Sequence, residues 1–137
     1  MKTDSDYLKL CGDLGKLAAA KGNPPAGAII TLNDEIVSEA EEASKTKNDI
    51  TSHAEIEAIR IAIQKLKTND LSKCVLYTSH EPCIMCAYVI RYYKIYRVVY
   101  EHSVSFLGGV SSSMPALTTT DVPTHWSKPP VINHITS

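Results

Sequence analysis

No run of about 18 apolar residues occurs in the chain, which excludes a membrane-spanning helix of ordinary length. No apolar segment of signal-peptide type follows Met1-Lys2-Thr3-Asp4-Ser5-Asp6. There is no basic excess either: 14 basic residues face 15 acidic ones, giving a formal charge of −1. Generic nucleic-acid binding usually requires such an excess, although a local basic stripe is compatible with this balance. No internal repeat and no linker divides the 137 residues, so one domain is expected. The hydrophobic fraction, 44%, suffices for a real core and argues against wholesale disorder. Without a signal peptide the expected compartment is the cytoplasm, where structural disulfides are rare. The four cysteines, Cys11, Cys74, Cys83 and Cys86, are then expected to be buried, catalytic or metal-bound.

The elements follow from periodicity and punctuation. Tyr7, Leu10, Leu14, Leu17 and Ala18 recur at helical steps, with Asp4 or Ser5 as N-cap and Gly22 as the stop. Asn23-Pro24-Pro25 forbids continuation. Two short runs, Ala28–Leu32 and Glu35–Ser38, flank Asn33-Asp34 and predict a hairpin. Residues 39–52 are polar and without period, the pattern of a long functional loop. A second helix begins near His53, with Ile56, Ile59, Ile63 and Leu66 on one face. Cys74–Thr78 reads as a central strand, and Pro82 starts a third helix running to about Tyr93. Tyr96–Tyr100 is the next strand, and Pro130-Val131-Ile132 predicts a final edge strand. Alternating helices and strands predict one sheet packed between helices, antiparallel at the hairpin and parallel across the strand–helix–strand unit.

Two short motifs carry the chemistry: His53-Ala54-Glu55 and Pro82-Cys83-Ile84-Met85-Cys86, each at a helix start. Thiols three residues apart share one helix face, and the helix N-terminus favours thiolate, the form that binds metal. An imidazole and two thiolates suit tetrahedral zinc and leave a fourth position open for water. Glu55, two residues after the imidazole, is placed to move protons without ligating the metal. Each motif alone has a plainer meaning. Ser52 and Glu55 fit a capping box. Cys83 and Cys86 fit a redox pair, or half of a four-ligand structural site completed by Cys11, Cys74, His80 or His102. Together, H-x-E followed by P-C-x-x-C is the pattern of zinc deaminases.

On these motifs the chain resembles the cytidine-deaminase-like superfamily. It is most similar to the branch of guanine deaminases, fungal-type cytosine deaminases and bacterial tRNA-adenosine deaminases. The matching stretches are Pro25–Ile30, Thr51–Arg60 and Leu76–Cys86, with a weaker match through Arg97–Tyr100. The resemblance implies a three-layer α/β/α sandwich around a mixed five-stranded sheet. It implies Zn2+ on His53, Cys83 and Cys86, Glu55 as the catalytic proton shuttle, and a backbone contribution from Ala54. It also implies a homodimer in which the partner helps close the pocket. On this reading residues 1–137 form one deaminase domain, with 111–137 a proline-rich extension.

Substrate is where the sequence departs from the family pattern. Glu42 stands where the branch commonly carries a base-gripping Asn, unless a gap brings Asn48 to that place. An ionised Glu only accepts hydrogen bonds, which predicts a ligand rich in N–H donors if Glu42 lines the pocket; the alternative is a solvated loop carboxylate. Phe106 and Trp126 are candidate pocket walls, or core and tail anchor respectively. Arg91, Lys94 and Arg97 form the nearest approach to a basic cluster and are expected on a solvated face or as partners of a helix dipole. Residues 111–137 hold one lysine, Lys128, and no arginine. The tRNA enzymes typically end in a basic helix, so the expected substrate is a free nucleobase, nucleoside or related small amino-heterocycle, guanine-type first and cytosine-type second. A tRNA-adenosine deaminase is the alternative, and a zinc-binding module without turnover is the alternative from another class.

Overall fold

The structure is a computed structural model that describes residues 1–126 and 128–136. Helix α1 (Asp4–Ala20) leads into strands β1 (Gly27–Leu32) and β2 (Glu35–Glu41). Helix α2 (Ala54–Leu66), strand β3 (Cys74–His80), helix α3 (Ile84–Tyr92), strand β4 (Arg97–His102) and strand β5 (Val131–His134) follow. The five strands form one sheet in the order β2-β1-β3-β4-β5. β1 is antiparallel to both β2 and β3, while β3–β4 and β4–β5 are parallel. This is the expected mixed five-stranded α/β sandwich. Among the described residues no helix is long and apolar enough to cross a membrane.

The hairpin turns at Asn33 and Asp34, with φ of 52° and 62°. Two consecutive left-handed residues give the primed turn that matches strand twist. Sheet faces alternate as the strands require. Ile30, Leu76 and Val98 pack with Ala58, Ile59, Ala87 and Ile90 of α2 and α3. Ile29, Val75, Tyr77 and Val99 pack with Tyr7, Leu8 and Cys11 of α1 on the other side. Cys11 and Cys74 are both buried, as expected of packing thiols, and Cys11 Sγ donates to the Tyr77 carbonyl at 3.4 Å.

Three expectations are corrected. The cap of α1 is Thr3, not Asp4 or Ser5. Thr3 Oγ1 accepts from the Asp6 amide, and Asp6 Oδ2 accepts from the Thr3 amide, closing a capping box. The buried stripe of α1 is Tyr7, Leu8, Cys11, Gly15 and Ala18, leaving Leu17 exposed. Small residues outcompete leucines here because the backbones nearly touch. A Cβ on Gly15 would sit 2.7 Å from the Pro25 oxygen, and one on Gly27 only 2.3 Å from the Cys11 oxygen. Third, Arg91 and Arg97 do not belong to a solvated face. Arg91 is 2% exposed and donates to the Ala116 and Thr119 carbonyls, pinning the irregular segment before β5. Arg97 pairs with Asp4, and its Nε donates to Asn133 Oδ1 at 2.7 Å.

Asp4 therefore joins α1 to β3 and β4, since Tyr77 also donates to its Oδ1 at 3.0 Å, and Arg97 extends the link to β5. The Arg97 hydrogen bond holds the Asp4 carboxyl below its usual range. A carboxyl lowered on folding contributes fully above about pH 4, and the contribution disappears as pH falls through the lowered value. Asp4→Asn is expected to cost about 1–2 kcal/mol at pH 7, after allowance for partial exposure. The gap from wild type should shrink by pH 3. Thermal unfolding at the two pH values checks this, and a gap that persists unchanged contradicts it.

Candidate metal centre and active site

Two helix N-termini build the site. His53 is the N-cap of α2, with extended backbone (φ −64°, ψ 153°) and its carbonyl accepting from the Glu57 amide. Cys83 is the N-cap of α3, also extended (φ −72°, ψ 174°), and accepts from the Ala87 amide. Because α2 starts one residue later than a capping box needs, Glu55 falls at the second helical position and cannot close the box. Glu55 turns inward and is 6% exposed, and among the described residues the buried Ser52 hydroxyl has no hydrogen-bond partner. The capping-box reading is therefore excluded. Ala54 is fully buried in the first turn of α2, where backbone amides lack intrahelical acceptors.

His53, Cys83 and Cys86 offer ligand atoms that all lie within 4.8 Å of one another. Tetrahedral zinc, with bonds of about 2.3 Å to sulfur and about 2.0 Å to nitrogen, sets N···S separations of roughly 3.6 Å. His53 Nδ1 lies 3.6 Å from Cys83 Sγ and 3.4 Å from Cys86 Sγ. Among the described residues no fourth His, Cys, Asp or Glu joins this cluster, so a four-ligand structural site is not formed. Cys11, Cys74 and His102 in particular stand apart from it.

Charge also calls for a cation. The Cys83 thiol is held down to about 4, first by the hydrogen bond from Cys86 and then by His53. Cys86, donating to that thiolate and deeply buried, is raised. The same thiolate raises His53. Burial pushes Glu55 up to about 7, with Cys83 and Glu42 adding negative charge nearby. Among the described residues no Lys or Arg pairs with Glu42 or Glu55. A divalent ion on the three ligands supplies the missing positive charge. The donor set and its spacing fit zinc.

A cavity of about 280 Å³ opens beside the triad, lined by Glu42, His53, Glu55, His80, Cys83 and Val104 among others. A larger cavity of about 400 Å³ lies between α1 and the end of β5, away from the metal ligands. Glu42 is 5% exposed, and its carboxylate accepts from the Ser44 amide at 2.6 Å and from the Ser44 hydroxyl. It is a pocket carboxylate held in place by its own loop. The other substrate candidates lie elsewhere. Asn48 is exposed in a left-handed turn, with φ of 50°. Phe106 is 86% exposed. Trp126 packs edge-on against Tyr88 at 4.7 Å and under the Arg91 guanidinium, which is the tail-anchor arrangement.

Two residues that the motifs did not single out shape the cavity. Glu81, buried before Pro82, accepts from the amides of Val104, Val110 and Ser111 and from the Ser111 hydroxyl. It gathers the loop after β4 onto the metal side, and Gly108 leaves room for its carboxylate, since a Cβ there would lie 2.2 Å from Oε2. His80, at the end of β3, forms part of the cavity wall. The signal for both was their place: polar residues at the end of an apolar central strand, directly before the Cys motif. On the far side, Asn23 Oδ1 accepts from the Lys45 and Thr46 amides, fixing the loop that carries Glu42.

One zinc ion per chain is the expected content of the purified protein. Cys83→Ala should lower zinc affinity by more than about 100-fold in competition with a chromogenic chelator. Unchanged affinity would contradict the ligand assignment.

Comparison with known proteins agrees with this geometry. The profile of the cytidine and deoxycytidylate deaminase zinc-binding region matches residues 1–102. The tRNA-specific adenosine deaminase of Aquifex aeolicus is 40% identical over 106 residues, covering 77% of this chain and 70% of that protein. The guanine deaminase of Bacillus subtilis is 40% identical over 91 residues, covering 65% of this chain and 58% of that protein. A chain solved in a study of A-to-I editing by tRNA:A34 deaminases superposes with a TM-score of 0.85 at 28% identity, covering 96% of this chain and 98% of that one. With its His-x-Glu and Pro-Cys-x-x-Cys motifs converging on one zinc-type triad, this chain belongs to the cytidine and deoxycytidylate deaminase family of zinc-dependent deaminases.

Proposed function

We propose that the chain catalyses hydrolytic deamination of an adenosine presented by transfer RNA, converting it to inosine and releasing ammonia. The similarity to a tRNA:A34 deaminase chain over nearly the full length carries this choice of substrate, and it outweighs the free-base preference drawn from the missing basic tail. His53, Cys83 and Cys86 hold the metal, which when bound supplies the Lewis acidity that makes water nucleophilic at neutral pH. Glu55 takes a proton from the attacking water. It passes protons to the ring nitrogen beside the reacting carbon and to the departing amine. Burial suits it to both steps, because a carboxyl pushed up to about 7 exchanges its proton near neutral pH. The same reading gives the backbone of Ala54, buried in the first turn of α2, a part in holding the substrate. A second copy of the chain closing the cavity belongs to the same reading, and Phe106 and Leu107 offer it exposed apolar surface.

One observation favours a second reading. The Glu42 carboxylate lines the cavity, and an acceptor there suits a free base rich in N–H donors, such as a 2-aminopurine, a pterin or a triazine. The absence of arginine from residues 111–137 points the same way.

Ammonia release from the zinc-loaded protein separates the two readings, with anticodon stem-loop RNA in one arm and guanine, cytosine, a pterin and a triazine in the other. Turnover of the RNA alone, weakened by added salt, is expected for the first reading, and turnover of a free base alone overturns it. Glu55→Ala should retain one zinc yet lose about 10²–10⁴-fold in kcat. Surviving activity would remove Glu55 from the mechanism. Glu42→Gln should shift selectivity among the amines by about tenfold or more if Glu42 reads the base, and an unchanged profile rejects that role.

A further inference from the structure

Strand alternation places His80 on the same face of β3 as Leu76 and Thr78, toward α2 and α3, and its ring lines the cavity beside the metal ligands. Its Nδ1 is 2.9 Å from the Ser79 hydroxyl oxygen. That oxygen already accepts from the Gly27 amide at 3.1 Å. Ser79 is buried, and among the described residues its hydroxyl meets His80 Nδ1 as a hydrogen-bond acceptor. A Ser79 hydroxyl that donates to Nδ1 favours the imidazole tautomer with its proton on Nε2. Burial and then the neighbouring His102 ring, with centroids 5.2 Å apart, disfavour the charged imidazole, against an opposing pull from Glu101. The start of this relay is rigid, because Gly27 is locked against the α1 backbone, where no Cβ fits.

We propose that His80 is a base-reading residue: an uncharged imidazole, fixed by Ser79 with its proton on Nε2, that donates a hydrogen bond to an unprotonated ring nitrogen of the substrate base. The inference rests on the deaminase reading above and adds a requirement to it. Glu42 on the cavity wall accepts and His80 donates, so the pocket is polarised for a heterocycle that carries both an amino group and a bare ring nitrogen. In a 6-aminopurine the nitrogen next to the reacting carbon faces Glu55, which leaves N7 or N3 for His80.

Two measurements test this. In zinc-loaded protein labelled with ¹⁵N-histidine, long-range ¹H–¹⁵N spectra at pH 7.5 should show His80 neutral, with Nε2 protonated and Nδ1 bare. Ser79→Ala should abolish that preference. A proton on Nδ1, or an imidazolium, overturns the proposal. For catalysis the probe is adenosine in an anticodon stem-loop against its 7-deaza and 3-deaza counterparts, or, if free guanine is the base turned over, guanine against 7-deazaguanine, because N3 of guanine adjoins the reacting carbon and faces Glu55. Wild type should show about a tenfold higher KM for one analogue, with kcat changed less. His80→Leu should raise KM for the parent base about tenfold and erase discrimination against that analogue, while His80→Gln, which keeps a donor, restores both. A His80→Leu enzyme that discriminates like wild type, or that loses kcat equally on every base tested, overturns the inference while the deaminase reading stands. If wild type deaminates none of the probes, the deaminase reading itself has failed and the inference falls with it.

Discussion

Everything at this site depends on two helix N-caps meeting. His53 and Cys83 are the extended residues from which α2 and α3 depart, and each is placed by the strand or loop before it rather than by the helix it starts. An N-cap is a good place for a ligand because its backbone is half fixed by the first helical hydrogen bond while its side chain remains outside the helix. The dipoles of both helices point their positive ends at the triad, which favours thiolate on Cys83 and tolerates the buried acids around it. The same convergence makes the site costly without a cation. Two carboxylates and a thiolate share a half-closed pocket with no lysine or arginine paired to them among the described residues. A divalent ion at the triad relieves that cost, so metal binding and stability of the pocket are coupled.

The pocket walls are made by loops, and loops hold position only if their backbone groups are satisfied. Each wall has one polar side chain that performs this task. Asn23 accepts two amides of the loop carrying Glu42. Glu81 accepts three amides and a hydroxyl of the loop after β4. Gly27 and Ser79 hold the third wall through the relay that ends on His80. The shape of the cavity is thus written in buried hydrogen bonds more than in apolar packing, and small changes at these anchors reach the substrate before they reach the core.

The cations of α3 and β4 show how charge can mislead when read along the chain alone. Arg91 and Arg97 look like surface residues of a basic cluster, yet one is buried and the other is ion-paired with Asp4. Both are consumed by the fold: Arg91 satisfies carbonyls of a segment that has no ladder of its own, and Arg97 ties the start of α1 to β5. Counting cations in the sequence therefore overstates how many are available to a polyanion.

The order of elements, the hairpin, the parallel unit and the zinc triad were all legible in the sequence. They rest on local signals: the period of apolar residues, turn-forming Asn33-Asp34, and ligand spacing set by helix geometry. The face that α1 buries was not legible, because it is set by how closely Gly15 and Gly27 let two backbones approach. The competition between a capping box and an inward Glu55 was decided by a one-residue difference in where α2 begins, which local propensity does not resolve. Whether Glu42 faces water or substrate, and that His80 faces the same cavity, depended on how two distant loops are pinned. Sequence alone determined which residues are suited to hold a metal, since that chemistry is carried by residue type and spacing. Only the tertiary structure decided what else lines the cavity beside them, because those side chains come from strand ends and loops brought together solely by long-range contacts.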